Sequence, residues 1–185
     1  MLEAKGAISL LWKTNSVLER FEETGIVPDK MCKELGFVGY VARSCDVAMD
    51  VRKDFPFGAY KKKPINIATN KGGDVFSRAY VRWLEIENSV NYILESLDNI
   101  SDENIKSEVS PIKANQLTVS LTEGWRGEIC HVAITGKNGK FIHYKIVDPS
   151  FHNWIGLAMV LRHEGISDFP LCNKSFNLSY CGHDL

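Results

Sequence analysis

From Asp74 to about Leu97, the apolar residues Phe76, Ala79, Tyr80, Trp83, Ile86, Val90, Ile93, Leu94 and Leu97 recur at three- and four-residue intervals. That is the spacing of one face of an α-helix. Further along, the period changes. Leu117, Val119 and Leu121 alternate with polar residues, as in a half-buried strand. Two more strand-like runs, 127–135 and 140–147, flank Lys137-Asn138-Gly139, and an Asn-Gly pair between such runs is the strongest short-range hairpin signal. Helices first and antiparallel strands second confine the chain to an α+β fold. It should be mostly helical, with a small antiparallel sheet whose hairpin lies near 127–147.

Around this frame the signals are shorter. Ile8, Leu11, Trp12, Val17, Leu18 and Phe21 give a helical spacing over 3–24, with Thr24-Gly25 as its stop. Asp29 is placed to cap a short helix running to Leu35. Residues 40–60 mix charges and aromatics without a clean period and read as a loop. Residues 101–113 are polar, contain Pro111 and read as a linker. Ser150 is placed to cap a helix from Phe151 to about His163, closed by Gly165, and an irregular tail follows. The organisation expected is one unit over 1–185, with a helical part over 1–104 and a sheet, helix and tail over 114–185.

Composition narrows the partners. With 22 basic and 23 acidic side chains the formal net charge is -1, so electrostatics gives no case for nucleic acid or an anionic membrane. No apolar run approaches the roughly 20 residues that span a bilayer. The first six residues lack the basic start of a signal peptide, so a cytoplasmic protein is expected. Cys32, Cys45, Cys130, Cys172 and Cys181 form no CxxC pair and are odd in number, which argues for reduced, mostly buried thiols.

Three groups of residues carry possible chemistry. Arg126 stands between Gly124 and Gly127, where missing side chains permit close approach to a backbone or a ligand. Its permanent charge and five donors suit an anion. Spacing alone favours an ion pair with Glu123 or Glu128. Arg43, Asp50, Arg52 and Asp54 alternate in sign; they read as a partly buried ion-pair network or as a surface for another subunit or a quinone-like ligand. The histidines are scattered, although His131 and His143 fall on strands the Asn-Gly turn pairs. A zinc site needs three or four converging ligands, and only Cys181 and His183 are local, with Cys172 as a distant third. No Walker loop, GxGxxG turn or nucleophilic triad is present, so no standard nucleotide or NAD site is expected.

One succession of motifs is more specific than its parts. Gly36-Phe37-Val38-Gly39, Ala42-Arg43-Ser44, Asp50-Val51-Arg52 and Pro56-Phe57-Gly58-Ala59-Tyr60 come first. Gly73-Asp74, Arg78, Arg82, Glu85-Ile86-Glu87 and Ser89 follow. Then come Trp125-Arg126-Gly127-Glu128, Asp148-Pro149-Ser150-Phe151-His152-Asn153 and Ser175-Phe176-Asn177. The order resembles the later part of the large subunit of nickel-iron hydrogenases. It is most similar to the membrane-bound energy-converting type and to the D-type subunit of NADH-quinone oxidoreductase (complex I).

The resemblance implies a hydrogenase large-subunit-like fold and a place in a membrane-associated redox complex. The expected partners are an iron-sulfur small subunit, the family's N-terminal half and membrane subunits, with this chain peripheral on the cytoplasmic side. Iron-sulfur clusters would lie in the partners, with no cofactor held by this chain. The catalytic relatives end in Asp-Pro-Cys-x-x-Cys-x-x-His or Arg, whose cysteines bind nickel. Here Asn177 and Leu178 fall at the Asp-Pro, Ser179 and Gly182 at the cysteines, and Leu185 at the last position. Cys181 is one residue out of step. Serine and glycine do not replace soft thiolates, so the resemblance implies a lost nickel-iron site. Arg126 falls at the arginine that sits over that site in hydrogenases, with Trp125 for the usual proline, which tips its reading towards a cavity wall. The alternative is a non-catalytic assembly or interaction module that kept the fold and not the chemistry.

Overall fold

The computed structural model describes residues 2–99, 106 and 108–184. Six helices precede the long one: α1 (Leu2–Lys13), α2 (Asn15–Phe21), α3 (Asp29–Leu35), α4 (Gly39–Arg43), α5 (Val51–Asp54) and α6 (Ala59–Lys62). Helix α7 (Val75–Leu97) leads to an antiparallel sheet of β1 (Leu117–Gly124), β2 (Gly127–Thr135) and β3 (Phe141–Val147), in that spatial order. Helices α8 (Pro149–Val160), α9 (Phe169–Phe176) and α10 (Tyr180–His183) complete the described chain. The mostly helical α+β architecture with its small sheet is as expected. The boundary expected at 104 and most of the linker before 108 lie outside the described residues.

The long helix begins where the sequence places it, because Asp74 accepts a hydrogen bond from the Ser77 N–H at 2.7 Å, satisfying one of the free donors of the first turn. The hairpin around Asn138-Gly139 also forms. The helix expected over 3–24 is instead two. Thr14 is extended at the junction and its hydroxyl donates to the Leu10 carbonyl at 2.8 Å, a local bond that competes with helix continuation. The cap of α8 is Asp148, not Ser150: its carboxylate accepts from the Ser150 N–H at 2.8 Å. Pro149 occupies the first turn, where a missing N–H costs nothing. Residues 40–60 hold three helices of four or five residues, too short to show a period. The tail is likewise helical, with α9 ended by Asn177 in the left-handed region at φ 47°.

The core lies between α4, α7, α8 and α9, and gathers Phe37, Tyr40, Val41, Val81, Leu157 and Phe176. Arg78, one turn into α7, is buried among them. Its Nε donates to Ser175 Oγ at 2.9 Å, and its two Nη groups donate to the Gly73 and Gly25 carbonyls at 2.6 and 2.9 Å. The guanidinium also lies 4.4 Å from the centre of the Phe176 ring. Burial pushes its pKa down to about 10, so it stays charged at neutral pH, held by carbonyl dipoles rather than by an ion pair.

The sheet is fastened to the helices at one end. Gly39 opens α4 with φ +66°, and a Cβ there would overlap the carbonyl of Arg126. Reciprocally, a Cβ on Gly127 would lie 2.7 Å from the Gly39 nitrogen. The two backbones touch because neither residue has a side chain. Elsewhere the sheet is open: Leu117 and Val119, expected to be half-buried, are 66% and 57% exposed. Gly36 shares the φ of Gly39, +66°, but a Cβ added there would meet nothing within 4 Å. Gly36→Ala should therefore cost about 1–2 kcal/mol for the left-handed backbone alone, and Gly39→Ala about 3 kcal/mol or more. Urea unfolding midpoints of the two variants check the difference.

Candidate functional site

A buried ion cluster lies where α4, α5, α7 and β1 converge. Arg43, the last residue of α4, is almost fully buried and reaches three carboxylates. Its Nε donates to Glu85 at 2.5 Å, and one Nη lies 2.9 Å from Glu123 and 3.5 Å from Asp50. The same Nη donates to the Met49 carbonyl at 2.8 Å. Asp50 accepts two bonds from the Arg52 guanidinium, at 2.9 and 2.6 Å, and also caps α5 through the Arg52 N–H. Glu123 accepts from the Val51 N–H at 3.1 Å. Asp54 takes no part in the ion pairing: its carboxylate accepts from the Asp50 N–H at 3.0 Å.

Three carboxylates thus share two guanidiniums in a largely buried space. Burial alone would lower the Arg43 pKa, but Glu85, Glu123 and Asp50 outweigh it and hold the charge firmly. Glu123 goes the other way. Burial pushes its carboxyl above the ordinary carboxylate range, and the nearby Asp50 adds to this, against the pull of Arg43. The shared guanidinium therefore does not fully offset the burial of Glu123. An open cleft of about 350 Å³ adjoins the cluster, with Arg43, Arg52, Glu85, Glu123 and Trp125 on its wall.

Arg126 sits one residue beyond Trp125, in the two-residue turn joining β1 to β2. It forms neither of the ion pairs its spacing suggests, because Glu123 is engaged by Arg43 and Val51. Its Nε instead donates to the Asn177 carbonyl at 2.5 Å. The turn is thereby tied to the start of the last nine residues. There Ser179 Oγ accepts from the Gly182 N–H at 3.0 Å and caps α10, while the Ser179 N–H donates to Ser150 Oγ at 2.9 Å. A Cβ on Gly182 would lie 2.6 Å from Asp148 Cγ. His183 stacks on Phe151 at 5.6 Å between ring centres.

Cys172 is buried on α9, with its sulfur against Gly25, whereas Cys181 is exposed. Among the described residues, no three His, Cys, Asp or Glu side chains converge as metal ligands, so the chain does not bring Cys172, Cys181 and His183 together. The strand register also separates His131 from His143. His131 faces Ile146 and His143 faces Ile134, which places them on opposite faces of the sheet. His131 meets the Tyr144 hydroxyl at 2.7 Å instead.

Sequence reasoning does not pair Glu85 or Glu123 with Arg43. Glu85 has a usable signal, since it follows Arg78 and Arg82 at helical spacing on one face of α7. Glu123 has none, because its place depends on how the sheet docks.

Residues 3–118 match the family described as respiratory-chain NADH dehydrogenase, 49 kDa subunit. The chain is 34% identical to the carbon monoxide-induced hydrogenase of Rhodospirillum rubrum, over 90% of this chain and 46% of that protein. It is 30% identical to a D-type NADH-quinone oxidoreductase subunit of Solibacter usitatus, over 80% of this chain and 41% of the relative. With formate hydrogenlyase subunit 5 of Escherichia coli K12 the figures are 28%, 96% and 31%. The fold matches a chain of the membrane-bound sulfane sulfur reductase, an archaeal respiratory membrane complex, with a TM-score of 0.90 at 23% identity, over 99% of this chain and 52% of that one. The chain thus spans half or less of the curated relatives it matches.

Two outcomes follow from the ion cluster. Replacing Arg43 by Met leaves three buried carboxylates short of a partner and should cost about 3–5 kcal/mol, read as a fall in the urea midpoint. Glu123 holds its proton to higher pH in the folded chain than in the unfolded one, so its contribution to stability is lost as pH rises through the raised value. Glu123→Gln does not titrate. The stability of this variant relative to the parent should therefore improve as pH rises from the ordinary carboxylate range, about pH 4, through the raised value, as measured by unfolding at a series of pH values.

Proposed function

This chain belongs to the family of the 49 kDa subunit of respiratory-chain NADH dehydrogenase, and we propose that it is the large-subunit module of a membrane-associated oxidoreductase complex, of the hydrogenase or NADH-quinone oxidoreductase type, without nickel-iron ligands of its own. Among the described residues no helix is long and apolar enough to cross a membrane, which fits a peripheral position. The partners proposed are an iron-sulfur small subunit, a polypeptide equivalent to the family's N-terminal half, and membrane subunits. Phe141 and Ile142, 53% and 70% exposed on β3, offer apolar surface of the kind that interfaces cover.

The tail is the observation that carries the absence of nickel from this reading. Ser179 and Gly182 stand where the resemblance puts the thiolates. The Ser179 hydroxyl is occupied as a helix cap, and Gly182 offers no donor atom and packs on Asp148. Cys181 is exposed. A hard hydroxyl and a glycine do not fit nickel or iron, so no step of the chemistry is assigned to such a centre here. What the chain supplies is a fixed positive charge: Arg126, held on the Asn177 carbonyl, forms part of the wall of a cavity that the partners complete.

Purified protein should contain no stoichiometric nickel by elemental mass spectrometry, and one nickel per chain would overturn the ligand argument. The tagged chain, affinity-purified from its host, should bring an iron-sulfur small subunit and membrane subunits with it. Its recovery alone at normal abundance would replace this reading with that of an assembly module that kept only the fold. In the assembled complex, Arg126→Lys should lower turnover without releasing subunits; unchanged turnover would leave Arg126 a purely structural role.

A further inference from the structure

Both outer strands of the sheet are edges among the described residues, β1 on one side and β3 on the other. An edge strand presents a row of unpaired N–H and C=O groups to any other strand, and folds guard it with charges, proline or a bulge. The β3 edge is guarded. It carries His143 and Lys145, and Ile142 is an extra residue between the pairs Ile134–His143 and Thr135–Phe141, a bulge that bends the strand. The β1 edge has no such device. From Leu117 to Thr122 it holds no charge, no proline and no bulge, and Leu117, Thr118, Val119 and Ser120 are all exposed.

The Thr135 N–H donates to the Gln116 carbonyl at 2.9 Å. Backbone groups alternate in direction along an antiparallel strand, so the even-numbered residues of β1 serve β2, while Leu117, Val119 and Leu121 turn theirs outward. The segment before β1 does not cover them. It crosses the hairpin tip, where the Lys113 carbonyl accepts from Thr135 Oγ1 at 2.7 Å and the Ile112 carbonyl lies beside Gly139.

The strand is also self-complementary. Turned end for end about Val119, Leu117 falls opposite Leu121, Val119 opposite itself and Thr118 opposite Ser120. Directly paired residues of an antiparallel ladder share a face, so the apolar side chains of each copy meet apolar ones, beside Val132 and Ile134 of β2. Hydroxyls meet hydroxyls, and no charge is opposed. The same operation on β3 about Tyr144 sets His143 against Lys145. Selectivity for a distinct strand needs a feature that rejects others, commonly charge. Strand β1 carries none until Glu123, which is already held by Arg43 and Val51.

We propose that β1 is a self-association edge: two copies of this chain pair β1 antiparallel across a twofold axis at Val119, joining two three-stranded sheets into one of six strands. Such pairing uses the same patch on both copies. The ladder ends at Leu121, because α5 adjoins the strand beyond it through Val51 and Glu123. A contact of this length is at the small end of protein interfaces, so the dimer is a reversible one. The inference does not depend on the proposed complex, since the edge belongs to this chain alone.

The test uses the 185-residue chain, kept in reductant because Cys181 is exposed. Sedimentation equilibrium should show monomer and dimer exchanging between about 10 µM and about 1 mM. Amide hydrogen exchange read by NMR should show the Leu117, Val119 and Leu121 N–H groups slowing as concentration rises. Those of Thr118 and Ser120, already bonded to β2, should not change. Val119→Lys, at an exposed position, sets two like charges face to face and should weaken the dimer at least about tenfold, with the far-UV circular dichroism unchanged. Val119→Ile should retain it. A monomer throughout, a Val119→Lys dimer of parental strength, or protection that grows on β3 instead of β1 would overturn the proposal. So would β1 amides that slow only when a subunit co-purified with the chain is added, which would assign the edge to a partner's strand.

Discussion

Arg43 is the interaction on which the rest of the structure depends. One buried guanidinium joins the end of α4 to α7 through Glu85, to the end of β1 through Glu123, and to the α5 segment through Asp50 and the Met49 carbonyl. Charges are costly to bury, and such a cluster holds together only when the geometry satisfies most of their donors and acceptors. Here every participating segment is positioned by a second device. Asp50 doubles as a helix cap, Glu123 also accepts from Val51, and Gly39 and Gly127 lock the hairpin turn against α4 backbone to backbone. The turn bearing Trp125 and Arg126 is thus fixed from two sides, even though most of the sheet beyond it is uncovered.

Helix α7 organises charge along its length. Arg78 is stabilised by dipoles in the core, Arg82 lies on Tyr40 with donors to spare, and Glu85 belongs to the cluster with the excess of carboxylates. A positive region and a negative one are therefore neighbours on a single helix face. Trp125, at the tip of the hairpin, lines the cavities adjoining both. Fixed opposite charges around low-dielectric walls produce a directional field that a mobile, solvated surface does not.

The elements with long periodic signals are legible in the sequence: α7 from Asp74 onwards, the strand runs, and the hairpin at Asn138-Gly139. The segment from 39 to 62 is not, because helices of four or five residues are too short to display a period and are set by tertiary contacts such as Gly39 on Arg126. Residues carrying the site are legible only in part. Arg43, Asp50 and Arg52 stand out by alternating sign, and they do form a network. Their missing partners, Glu85 and Glu123, are 42 and 80 residues from Arg43; helical spacing puts Glu85 on the face of Arg78 and Arg82, but nothing local pairs either acid with Arg43. Arg126 is marked by its flanking glycines, but its partner is a backbone carbonyl, and sequence offers no marker for those.

The tail is held by the same kind of local device, and neither Ser179 nor Gly182 is idle in it. Ser179 caps α10 and bonds Ser150, and Gly182 lets that helix lie on the Asp148 carboxylate. Any side chain at Gly182 would press on Asp148, and a thiolate there would also set two negative charges side by side. Placing cysteines at 179 and 182 would thus remove a cap and disturb the cap of α8. Arg126, which bonds the backbone at Asn177, is untouched by these changes. The anchor of Arg126 is a carbonyl present in every residue, so the placing of this arginine and its turn does not require any particular side chain in the tail.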